Sequence, residues 1–113
     1  AFDHQRLDVG RVGLQALVLG EAMAQELPRG YASLGDQLRR ALSGTYLQTT
    51  EGITRRGRDR ATRLRIARAE ANEAAAAVDA LKALGLASEG ASTELLTLLD
   101  RICRMLAGLE RRS

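Results

Sequence analysis

At 113 residues the chain has the length of one domain, and a chain of this size buries roughly two thirds of its unfolded surface. Phe2, Tyr31 and Tyr46 are the only aromatic residues and Cys103 the only cysteine, which excludes a ring-rich core, an internal disulfide and a thiolate metal cage. The net charge is +3, with dispersed acids and clustered bases, and sixteen of the seventeen basic residues are arginine.

Arginine suits planar, bidentate contacts to phosphate or carboxylate. A GC-rich genome also exchanges Lys for Arg without functional cause, but that does not explain clustering. A core lacking rings must be built from Leu, Ala, Val and Ile, which in helices gives slender interfaces toward the short end of the ~8–10 Å range. No stretch alternates β-branched with polar residues, so strands are not expected.

The first helix is expected over residues 7–27. Val9, Val12, Ala16, Leu19, Met23 and Leu27 step by three or four and form one inward stripe. Pro28, Arg29 and Gly30 break the helix. Leu14, Leu17 and Val18 lie off the stripe, Leu14 and Val18 nearly opposite it. A helix apolar on two sides is usually covered on two sides. In so small a protein the second cover must come from another subunit, so these three residues are candidate oligomer contacts.

The second helix is expected over residues 32–52, with Leu34, Leu38, Ala41, Leu42, Thr45 and Tyr46 on its inner face. The third, over residues 55–84, follows with little or no linker. Leu64, Ala67, Ala71, Ala74, Val78 and Leu81 mark a clean heptad, the pattern of shallow-angle packing, and Gly85 suits its C-cap. Ser88 can N-cap a fourth helix over residues 89–111, with Leu95, Leu99, Ile102, Leu106 and Leu109 inward. Arg111 and Arg112 suit the negative pole of that helix dipole. Short turns between four long helices predict an all-α, antiparallel up-down-up-down four-helix bundle as a single domain over residues 1–113. Glycines inside these helices, Gly20 and Gly44 among them, each cost about 1 kcal/mol relative to Ala. They read either as points of close helix approach or as tolerated interruptions.

The start of helix three carries the densest charge. Arg55, Arg56, Arg58, Arg60, Arg63, Arg65 and Arg68 fall within fourteen residues opposed only by Asp59, a net charge of +6. At 100° per residue these side chains spread around much of the helix rather than along one stripe. The cluster admits three readings: a solvated helix start with intersubunit ion pairs to Glu70, Glu73, Asp36 or Glu51; a surface for DNA or RNA phosphates; or a site for an acidic protein. No aromatic residue is interleaved with the arginines, so nucleic-acid contact would be directed at the backbone and largely independent of sequence.

Enzymatic chemistry is not expected. A bundle metal site needs carboxylates from several helices and Glu-x-x-His pairs. The sole histidine, His4, is expected outside the bundle, and the inner stripes hold no acids. Cys103 lacks a histidine partner and sits beside Ile102 on an apolar helix, as a core residue does. No metal or other cofactor is implied. The start lacks the charged-then-apolar pattern of a secretory leader, and no apolar run approaches ~20 residues, so a soluble cytoplasmic protein with no membrane contact is expected.

Several segments together resemble one family: Leu34-Gly35-Asp36-Gln37-Leu38-Arg39-Arg40-Ala41, Glu51-Gly52, Leu64-Arg65-Ile66-Ala67, Asn72-Glu73, Leu84-Gly85-Leu86 and Met105-Leu106-Ala107-Gly108-Leu109. In order and spacing the chain is similar to the four-helix-bundle proteins encoded in intervening sequences of 23S ribosomal RNA genes. The accessory variability proteins of diversity-generating retroelements are related to that group. The resemblance implies a ring-like homopentamer without enzymatic activity. Its retroelement branch implies nucleic acid and a reverse transcriptase as partners, which favours a phosphate-contacting role for the arginines. It also suggests, with charge logic, a structural ion pair between Glu51 and Arg65 across the junction of helices two and three. Two departures stand out. The segment Thr45-Tyr46-Leu47-Gln48-Thr49-Thr50 lacks the proline usual in the second half of helix two, and Arg60 and Arg63 occupy positions where members tend to carry aromatic residues.

Overall fold

The computed structural model describes residues 4–112, apart from the side chains of His4, Gln5 and Leu7. Four helices make up the fold: α1 (His4–Gln25), α2 (Ala32–Ile53), α3 (Gly57–Ala83) and α4 (Glu89–Arg111). No strand occurs among the described residues. Each helix packs against the two that flank it, α1 on α2 and α4, α3 on α2 and α4. The result is an antiparallel four-helix rod with extents of 47 × 22 × 18 Å.

Local chemistry sets where the helices stop. α1 ends at Gln25, short of Leu27, because Pro28 disfavours the helical conformation in the residue before it. Leu27 instead packs toward Gly35 on α2, where an added Cβ would meet its Cδ1 at 3.0 Å. α3 ends in a Schellman motif: Gly85 takes φ +72°, Leu86 N–H donates to the Leu81 carbonyl at 2.8 Å and Gly85 N–H to that of Lys82 at 3.0 Å. At the start of α4 the Ser88 hydroxyl accepts from the Ala91 amide at 3.1 Å, satisfying one orphan donor of the first turn. His4 opens α1 and does not precede the bundle, contrary to the expectation; its side chain lies outside the described residues.

The α3 heptad is inward as its spacing demands: Leu64, Ala67, Ala71, Ala74, Val78 and Leu81 are all fully buried. Alanine at three of these positions, Ala67, Ala71 and Ala74, lets neighbouring axes come close, and glycine carries this further. A Cβ on Gly20 would collide with Leu42, and one on Gly52 would sit 2.7 Å from Leu64 Cδ2. Gly10 and Gly108 have no such neighbour, so close approach accounts for some glycines and not for others. Thr45 and Thr49 are buried on α2 without cost in unmet hydrogen bonds, because each hydroxyl donates to the carbonyl one turn back, at 2.7 and 2.6 Å. Leu19 and Leu27 are only partly buried and flank the core instead of filling it.

Candidate nucleic-acid interface

The arginine segment does not lie on one helix. Thr54, Arg55 and Arg56 form a link between α2 and α3, so Arg55 and Arg56 precede α3. The chain turns here because Gly57 adopts φ +59°, a left-handed conformation that favours glycine, after an extended Arg56. Arg58, Arg60, Arg63, Arg65 and Arg68 follow on α3 itself.

These seven side chains have different fates. Arg55 donates through Nη2 to Glu51 Oε2 at 2.8 Å and through Nη1 to Asp59 Oδ2 at 3.4 Å. Arg60 Nε reaches back to the Arg55 carbonyl at 2.7 Å, bracing the link against the first turn of α3. Arg63 Nε lies 3.6 Å from Asp59 Oδ1. Arg68 is the most firmly held: Nε and Nη2 both face the Glu110 carboxylate on α4, at 3.0–3.3 Å, with Glu110 only 18% exposed. That forked pair ties α3 to α4. Arg56, Arg58 and Arg65 are exposed, and their guanidinium groups make no ion pair among the described residues.

The expected Glu51–Arg65 pair is not formed. Glu51 is engaged by Arg55, four residues on and within easy reach across the helix end, while Arg65 points to solvent two turns into α3. Arg60 and Arg63 are half-buried, at the margin of the α3 heptad face rather than in it.

Antiparallel folding adds arginines that the linear sequence keeps far apart. The start of α1, the end of α2, the start of α3 and the end of α4 share one end of the rod, as the 42-residue span of the Arg68–Glu110 pair shows. With each helix cut at its midpoint, and Glu70 and Asp100 at the waist assigned to this end, the described residues here hold thirteen arginines and six carboxylates, a net charge of +7. The opposite end holds four basic and seven acidic residues, a net charge of −3. Arg101, Arg104 and Arg111 on α4 therefore lie at the same end of the rod as Arg58 and Arg65; Arg104 is partly neutralised by Asp100 at 3.0 Å. Sequence reasoning gave Arg111 and Arg112 only a helix-dipole role. The up-down topology itself was the signal that would have placed them beside residues 55–68.

The remaining candidates are also placed. Leu14 and Val18 are 46% and 66% exposed, side by side along α1, whereas Leu17 packs against the core and does not share their patch. Cys103 is half-buried with its Sγ 3.7 Å from Asn72 Oδ1, and burial pushes its thiol pKa up, which disfavours the nucleophilic thiolate. Among the described residues no group of three His, Cys, Asp or Glu side chains could hold a metal ion, and no helix is long and apolar enough to cross a membrane.

Comparison with known proteins agrees with this architecture. The family model described as 23S rRNA-intervening sequence protein matches residues 18–108. No curated protein matches the chain. A crystal structure from Bacteroides thetaiotaomicron, of a protein with unknown function from the S23 ribosomal protein family, superposes with a TM-score of 0.86. It is 17% identical in sequence, with 95% of this chain and 98% of that one covered, a likeness of fold.

Proposed function

We propose, from the premise that this chain belongs to the 23S rRNA-intervening sequence protein family, that it is a non-enzymatic oligomeric scaffold which binds the nucleic-acid backbone through its basic end. The observation that carries this reading is the one-ended gathering of arginine, with Arg56, Arg58 and Arg65 left free to meet phosphates. Arg55, Arg63 and Arg68 are spent largely on intrachain carboxylates and act as supports. Guanidinium groups without interleaved rings grip phosphates and sugars and do not stack bases, so binding is indifferent to sequence. The homopentamer is the assembly that the resemblance implies, and in such a ring the basic ends of all copies add in space. A reverse transcriptase joins as partner if the retroelement relationship holds.

Titration of fluorescent RNA and DNA with the protein, between about 50 and about 200 mM salt, tests the reading. About six phosphate contacts on duplex DNA give a log–log slope near −5, and Arg56→Ala/Arg58→Ala/Arg65→Ala flattens it by about 2 to 3. Absence of binding at the lower salt overturns the proposal. A variant that instead dissociates the oligomer on a sizing column supports the other reading, a structural or protein-interaction module whose arginines serve subunit contacts.

A further inference from the structure

Two grooves run along opposite sides of the rod, and each has what the other lacks. Between α1 and α4 a shallow groove of about 600 Å³ is edged by the exposed Leu14 and Val18, with Leu98 beyond them and Arg11 and Glu94 at its rim. Between α2 and α3 a second groove, of about 630 Å³, is floored by small side chains, Ala41, Ala76, Ala77 and Ala80, and rimmed by Glu70, Glu73 and Arg40. Since each helix packs chiefly on its two flanking helices, the α1/α4 side and the α2/α3 side face away from one another.

We infer that the exposed α1 ridge of one copy seats in the alanine-floored α2/α3 groove of the next, making a head-to-tail interface. This rests on the oligomeric reading above and names its two mating surfaces. Three observations commit the groove to a second copy. Leu14 and Val18 are large, adjacent and uncovered within the subunit, while the opposite groove is floored by methyl groups, which leave room for a ridge of branched side chains. The rim charges are opposed in sign: Arg11, which also pairs with Asp8 at 2.6 Å, on the ridge side for Glu70 and Glu73, and Glu94 for Arg40. Among the described residues Glu70 and Glu73 form no ion pair, and the Glu70 carboxyl lies against the α2 backbone at Gly44, where an added Cβ would fall 2.9 Å from it.

Height along the rod agrees as well. α1 and α3 start at the same end; Val18 is fourteen residues beyond His4 and Glu73 sixteen beyond Gly57, or about 21 and about 24 Å along the axis. Rotation about an axis parallel to the rod keeps heights equal, so a cyclic assembly sets Val18 level with the Ala41 and Glu73 part of the groove, the Ala76 to Ala80 floor lying about 7–14 Å further along. A head-to-tail contact of this kind closes into a ring where its rotation divides a full turn, and every basic end then faces the same way.

Paired variants separate the possibilities, with circular dichroism confirming that each stays helical. Val18→Glu spoils the ridge and Ala76→Arg blocks the groove; both positions are exposed in the subunit, so the fold does not depend on them. Each variant alone is expected to be monomeric by light scattering. Mixed together they are expected to form a dimer and nothing larger, because one contributes an intact ridge and the other an intact groove. Loss of assembly in Val18→Glu but not in Ala76→Arg would mean ridge-to-ridge pairing, which overturns this interface and leaves the oligomeric reading standing. A monomeric wild-type protein would overturn both.

Discussion

The two ends of this rod share one packing scheme and differ in charge. At both, leucines from the α3 heptad fill the core: Leu64 near the basic end, Leu81 near the acidic one, each fully buried. Yet one end carries a net +7 and the other −3 among the described residues. Hydrophobic stripes recur every heptad and so treat both ends alike. Charge does not recur, and the fold sorts it by where each helix starts and stops. The comparison teaches that packing is spread along this molecule whereas positive charge is concentrated at one end.

The largest expected effects test whether packing is as even as it looks. Leu64→Ala and Leu81→Ala should each cost about 2–5 kcal/mol by urea unfolding, because neither site has exposed surface into which it can relax. A much smaller cost at Leu64 would mean that the basic end is frayed and that its arginines rest on a loose support. A middling effect is expected from Arg68→Ala. It breaks a forked, partly buried link between α3 and α4 and should lower stability by about 1 kcal/mol, while leaving nucleic-acid affinity nearly unchanged, since Glu110 already occupies this guanidinium.

The smallest effect belongs to the waist. Burial raises the Glu70 pKa, with the neighbouring Glu73 adding to it. A carboxyl that holds its proton more tightly in the folded state makes stability fall as pH rises through and just above the ordinary carboxylate range. Glu70→Gln, made in the Val18→Glu background, which is expected to be monomeric so that assembly plays no part, should raise Tm by ~1–3 °C at pH 7. The gain should vanish near pH 4. A Tm that drops on substitution would show that the carboxylate has a cationic partner within the subunit.

How much of this was legible in the sequence follows from the range of the interactions. The four helices, the heptad of Leu64 to Leu81, the Gly85 stop and the Ser88 cap depend on neighbours within a few residues, and their pattern is visible in one dimension. Arg55 and Arg56 were misplaced onto a helix because the left-handed turn at Gly57 competes with a continuous charge run, and charge runs carry no boundary signal. The Glu51–Arg65 pair failed because a nearer arginine, Arg55, was available to the same carboxylate. The Arg68–Glu110 link and the arrival of Arg101, Arg104 and Arg111 beside residues 55–68 depend on partners some forty residues away, which only the folded topology brings together.

A matched removal of charge tests the central claim most directly. Arg58→Ala/Arg65→Ala takes two positive charges from the basic end, and Arg29→Ala/Lys82→Ala takes two from the other, leaving equal net charge. Fluorescence titration of duplex DNA across a salt series should show the first pair losing about tenfold or more in affinity at low salt and about 2 units of log–log slope, and the second pair binding almost as the unmodified protein does. Equal losses from both ends would contradict the account, for binding would then follow overall charge and not the surface that the fold assembles.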